Sequence, residues 1–171
     1  AELDAALQRM DSGTVVFVGS PSPDAAAKTS LKKAYQIFSA HQDRLLLGGV
    51  TIAERHTIQG IEHHKLLHKI QSGCSFFISQ CVYDAERFKD MLSDYYYLCQ
   101  DEEQPMKPII MTLTPCGSLK TLQFIRWLGI QIPHWMENDL QHQGDILQYS
   151  LRRCRDIFLD IQDFCRSKSI P

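Results

Sequence analysis

Short apolar runs punctuate the chain at Thr14–Val18 (TVVFV), Leu45–Val50 (LLLGGV), Ser75–Cys81 (SFFISQC) and Pro108–Leu113 (PIIMTL). Each carries little internal polarity, as strands covered on both faces do. Their starts lie roughly 30 residues apart, the size of a strand–helix–strand unit. Between them the period changes. Asp84–Cys99 places Phe88, Met91, Leu92, Tyr95, Tyr96 and Cys99 on one helical stripe. Asp145–Cys165 does the same with Ile146, Leu147, Leu151, Cys154, Ile157, Phe158 and Ile161. Asp24–Ala40 and Gly60–Gln71 are weaker helical patterns, and Ala1–Met10 reads as the end of a helix. Gly13, Gly73 and Gly129 stand where helices should stop.

Strands alternating with covering helices predict an α/β fold with a parallel sheet and right-handed crossovers. An open doubly wound sheet and a barrel both satisfy that pattern. Four strands cannot close a barrel of eight, so the sheet either stays open or belongs to a larger barrel. Ala1 begins inside helix-like sequence and CRSKSIP runs out of a helix where another strand is expected, so both ends read as cuts through a longer protein, and no low-complexity linker divides residues 1–171. A half-barrel would expose two strand edges and one sheet face, so the piece is expected to self-associate or to continue into further sequence.

Composition narrows the function. Hydrophobic residues make up 44% of the 171 and charged residues 22%, enough for one folded core. A net charge of -2 argues against nucleic acid or an anionic membrane as the main partner. No apolar stretch approaches the roughly 20 residues that span a bilayer. The N-terminal segment has no hydrophobic core of a signal peptide, and the six scattered cysteines form no CxxC pair. Reduced thiols in a cytoplasmic protein are expected.

No GxGxxG or GxxxxGK[ST] follows a strand. Polar residues gather instead just past the strand ends: Gly19-Ser20, Thr51 to His56, Ser79-Gln80 and Thr112 to Thr114. Both candidate architectures bind ligands there. His63, His64 and His68 invite a metal reading, but Lys65 follows His64 where a zinc protease helix needs glutamate. No metal site is expected from them.

The segment SGCSFFISQCVYD (Ser72–Asp84) resembles the AGA-x-x-x-ITQ-x-x-FD segment of methylenetetrahydrofolate reductases, and IQIPHWM (Ile130–Met136) resembles their V-x-IP-x-WM segment. VVFVGSPSP (Val15–Pro23) is similar to their strand ending in RGDxPP, and GGVTIAERH (Gly48–His56) to the strand ending in YPE-x-H. The resemblance implies a partial (β/α)8 TIM barrel, about strands four to seven with their helices. It also implies NAD(P)H-dependent reduction of methylenetetrahydrofolate to methyltetrahydrofolate in one-carbon metabolism, with FAD on the carboxyl face. The family's glutamate proton donor would lie outside residues 1–171.

Carried over by position, the resemblance assigns folate contacts to Gln80, Ser20 and Thr121. It assigns cofactor contacts to Gly19, Ile52, Glu54, His56, Glu62, His68 and Lys69. An amide such as Gln80 can donate and accept toward a pterin edge at once. Three positions depart from the family: Ser20 for aspartate, Ile52 for a flavin-contacting tyrosine and Val18 for arginine. All three fall on the flavin side. A non-catalytic folate-binding or structural relative, or a flavin-independent reductase, is therefore the alternative. The expected partner is a folate, without nucleic acid or membrane. Homo-oligomerisation is one way to cover the open sheet.

Overall fold

A computed structural model describes residues 2–19 and 29–171. Four strands, β1 (Gly13–Val16), β2 (Leu45–Thr51), β3 (Cys74–Cys81) and β4 (Ile109–Thr112), form one sheet in the order β1-β2-β3-β4. Every neighbouring pair is parallel. The four apolar runs of the sequence are these four strands. The helices among the described residues are α1 (Glu2–Gln8), α2 (Leu31–Phe38), α3 (Ala53–Gln59), α4 (Glu62–Gln71), α5 (Ala85–Asp101), α6 (Leu119–Trp127), α7 (His134–His142) and α8 (Ile146–Lys168).

Register fixes which side chains meet the helices. Gly49 pairs with Phe77 and Thr51 with Ser79, and paired residues of parallel strands share a face. The Phe77 ring, fully buried, meets Tyr95 of α5 edge-on at 6.3 Å. Burying one such aromatic side chain contributes about 2–3 kcal/mol. The opposite face carries Leu46 and Ile110, both more than half exposed, which the buried-strand pattern does not anticipate. A consecutive strand order with no reversal, and helices packed against one face, is consistent with a segment of a barrel.

Strand β2 is pared down on both faces. A Cβ on Gly48 would lie 2.3 Å from the Phe76 ring, and one on Gly49 would lie 3.1 Å from Phe77 and 3.3 Å from Cδ of Lys69. Phe76 and Phe77 fill the space that these two glycines leave.

Helix α5 follows its sequence pattern closely. Asp84 caps it by accepting from the Arg87 amide at 3.3 Å, and Phe88, Met91, Leu92, Tyr95 and Cys99 are buried. The Tyr95 hydroxyl accepts from the Lys107 amide at 2.9 Å and lies 3.2 Å from the Lys107 carbonyl, tying α5 to the entrance of β4. Helix α8 differs from expectation. Ile157 and Ile161 are buried, but Leu147, Leu151 and Phe158 are over 40% exposed, because α8 rests on the molecule along a narrow line of positions. Ser150 is on that line: its hydroxyl accepts from the Cys116 amide at 2.6 Å. The pattern over 24–40 becomes the shorter α2, capped by Ser30, and residues 24–28 lie outside the described residues.

Helix α3 is an element that the apolar pattern does not announce. Gly60, in the left-handed region at φ +62°, ends it, and its amide bonds to the His56 carbonyl. The chain then turns into α4. No helix among the described residues is long and apolar enough to cross a membrane.

Candidate functional site

The carboxyl end of β2 is built around a buried carboxylate. Glu62, 2% exposed at the first turn of α4, accepts from the Ile52 amide at 3.2 Å and faces the Thr51 hydroxyl at 3.5 Å. The Lys65 ammonium lies 3.3 Å from its other oxygen, too poorly aligned for a hydrogen bond. Lys69, one turn further along α4, donates to the Val50 carbonyl at 2.5 Å. Burial holds its pKa below the ordinary lysine value, with the Glu62 charge opposing that shift.

His56 and Glu54 sit on α3. His56 is buried, and its Nε2 lies 3.0 Å from Oδ2 of Asp94 on α5. Its Nδ1 lies 3.4 Å from Nδ1 of His63 on α4. His56 is thus turned into the helical layer. Glu54 is also buried, which raises its pKa above 4.5. Its own backbone amide and Arg87 pull the value down, and Asp84 pushes it up.

The carboxyl end of β3 is arranged differently. The ladder to β4 is irregular between Ile78 and Cys81. Ser79 Oγ bridges the irregularity by accepting from the Thr112 amide at 2.9 Å, and Cys81 Sγ lies 3.0 Å from Thr114 Oγ1. Gln80 stands between them, half-buried, and its amide takes part in neither bond. Tyr83 anchors the adjoining loop through its hydroxyl, which donates to the Thr114 carbonyl at 2.5 Å.

The resemblance placed these residues around one mouth. Glu54, His56, Glu62 and Lys69 lie on the two short helices that follow β2, but the hydrogen bonds of His56, Glu62 and Lys69 run inward to the protein. Gln80 stays in the strand layer, and the structure does not pair it with His56. Thr121 lies in the first turn of α6, bonded to Ser118 Oγ at 3.0 Å. His68 is exposed on α4, Gly19 is exposed at the end of the described N-terminal segment, and Val18 is 71% exposed. Ser20 lies outside the described residues. Ile52, half-buried, offers a backbone amide to Glu62 but no ring to a flavin. With Lys69 on a main-chain carbonyl, His56 on Asp94 and no tyrosine at Ile52, these residues do not fit a flavin.

Sequence reasoning missed His63 and Asp94 as partners of His56. The signal was available in Gly60: a break there makes two short helices, and brings together histidines seven positions apart.

The family model for methylenetetrahydrofolate reductase matches residues 55–148. None of the curated proteins compared matches the chain. Among solved structures, the chain is similar to an uncharacterized protein from Clostridium thermocellum described as binding two copies of 5-methyl-5,6,7,8-tetrahydrofolic acid. Identity is 45%, the TM-score is 0.87, and the match covers 99% of this chain. The chain spans 59% of that protein's length.

Proposed function

The chain belongs to the methylenetetrahydrofolate reductase family, and from that premise we propose that it helps to bind a reduced folate of the methyltetrahydrofolate type at the carboxyl end of its sheet. The observation that carries this reading is the described folate binding of a protein 45% identical over nearly the whole chain. Gln80 supplies the chemistry. Its amide is not engaged by the neighbouring side-chain bonds of Ser79 and Cys81, and it stands at the end of a half-buried strand. A pterin edge presents adjacent donors and acceptors, and one carboxamide answers both. The strand holds that amide in place before the ligand arrives, which limits the ordering cost of binding.

Calorimetric titration with 5-methyltetrahydrofolate tests the reading. Saturable binding is expected, with a rise in Tm by mass action. Gln80→Ala is expected to weaken it about tenfold or more, the loss of one or two buried hydrogen bonds. Absence of both heat and Tm shift at millimolar folate, with the protein folded, overturns it.

A second reading is favoured by the family match itself: reduction of methylenetetrahydrofolate by NAD(P)H. In that reaction a hydride from the nicotinamide adds to the methylene iminium carbon, giving the methyl group and NAD(P)+. Since the residues after β2 do not fit a flavin, the hydride would pass directly between nicotinamide and folate, and the protein's part is to align the two rings. NAD(P)H consumption matched by methyltetrahydrofolate formation supports this reading. Folate binding without consumption leaves the binding function alone.

A further inference from the structure

Where α3, α4 and α5 meet, two imidazoles point the same kind of atom at each other. His56 Nε2 is held by the Asp94 carboxylate, which can only accept, so that nitrogen carries the proton. A neutral His56 ring then has its lone pair on Nδ1. That lone pair faces Nδ1 of His63 at 3.4 Å, and the rings meet edge-on at 78°. As a hydrogen bond between nitrogens this separation is long. As the span between two ligands of one ion it fits: two metal–nitrogen bonds of about 2.05 Å at a tetrahedral angle place the nitrogens roughly 3.3 Å apart.

We propose that His56 and His63 form a site for a divalent transition metal of the zinc class, with Asp94 as the carboxylate that orients His56. One ring nitrogen each of His56 and His63 and one carboxylate oxygen of Asp94 lie within 4.8 Å of one another, with Asp94 on Nε2 of His56 rather than on the Nδ1 that faces the ion. A carboxylate on the far nitrogen of a metal-bound histidine fixes its tautomer and raises its basicity. Imidazole nitrogens select zinc, nickel, cobalt or copper over calcium and magnesium. His56 is buried while His63 is half-buried and Asp94 exposed, so the ion enters from the solvent side and keeps its remaining positions for water. Bound there, it links α3 to α4 beside α5.

The test is competition for Zn2+ against a chromophoric chelator, using the metal-stripped protein. One equivalent is expected to bind, and Tm is expected to rise with added Zn2+. His63→Gln, at a half-buried position that tolerates an amide, is expected to abolish that equivalent without unfolding the protein. Asp94→Asn is expected to lower affinity about 10- to 100-fold. His64→Gln, on the exposed side of α4, should leave affinity unchanged. Failure of the wild-type protein to bind, or equal affinity in wild type and His63→Gln, overturns the assignment. So does loss of binding in His64→Gln with retention in His63→Gln.

Discussion

The strand ends of β2 and β3 are neighbours in one sheet, yet they treat their polar side chains in opposite ways. After β2, Thr51, Glu62, His56 and Lys69 bond to one another, to backbone and to α5. After β3, Ser79 repairs the ladder while Gln80 beside it keeps its amide out of the local bonds. Both ends look alike as strings of polar residues following an apolar run. Among the described residues, only the second leaves an amide outside these local bonds. A polar residue at a strand end therefore signals binding when the fold leaves it unengaged, and signals architecture when the fold buries and pairs it.

Breaking the β2 end should cost the most. Glu62→Ala removes the acceptor of the Ile52 amide and leaves Lys65 without its counter-charge. About 3 kcal/mol of destabilisation is expected, from an unpaired buried group and a lost ion partner. In a chain of this length that is a fall in Tm of roughly 6–12 °C. Urea unfolding followed by circular dichroism measures it.

The two β2 glycines offer a sharper contrast. Gly49→Ala would press on Phe77 and Lys69, both packed beneath the helices, and should destabilise by about 1–3 kcal/mol. Gly48→Ala makes the shorter nominal contact, 2.3 Å to Phe76. Its neighbour, however, is the end of a ring on the face that also exposes Leu46 and Ile110, and it can turn aside. The smaller loss is expected for Gly48→Ala, so a reversed order in paired melts would show that this face is covered.

Glu54 should respond in the other direction. Its folded pKa lies above 4.5, so the folded protein holds the extra proton and that contribution to stability is complete below pH 4.5. It is lost as pH rises through the folded pKa. Glu54→Gln is accordingly expected to raise Tm at pH 7, where the wild-type carboxyl ionises in a buried setting. The gain should vanish near pH 4. Equal gains at both pH values would place the charge in solvent instead.

The smallest effect on stability belongs to the β3 end. Gln80→Ala should change unfolding free energy by less than about 0.5 kcal/mol, as for a side chain outside the hydrogen bonds of the described residues. The same substitution is the one expected to impair folate binding. A large loss of stability there would erase the difference between the two strand ends.

Much of the scaffold was legible because it rests on periodicity. The four strands and α5 follow from which positions are apolar, and Phe88, Met91, Leu92, Tyr95 and Cys99 are buried as their spacing predicts. Helix α8 was legible in extent but not in burial, since an apolar stripe does not say how much of it a neighbour covers. The helices α3 and α7 were missed because each is short and mixed in polarity, and α3 depends on one backbone angle at Gly60. For the residues after β2, the sequence offered names but not the directions of their hydrogen bonds. Lys69 and His56 stand at the positions that the resemblance assigned to cofactor contacts. What no spacing could reveal was that Gly49 makes room for the lysine stem, or that Asp94 reaches across from another helix.

The serine at position 79 has a kinetic corollary. A main-chain rung normally opens only when two strands part. The Thr112 amide instead leans on a hydroxyl, and a hydroxyl can swing away by a change of rotamer while the backbone stays still. In deuterium labelling, that amide should exchange earlier than the rungs beside it, marking the spot where the sheet loosens first.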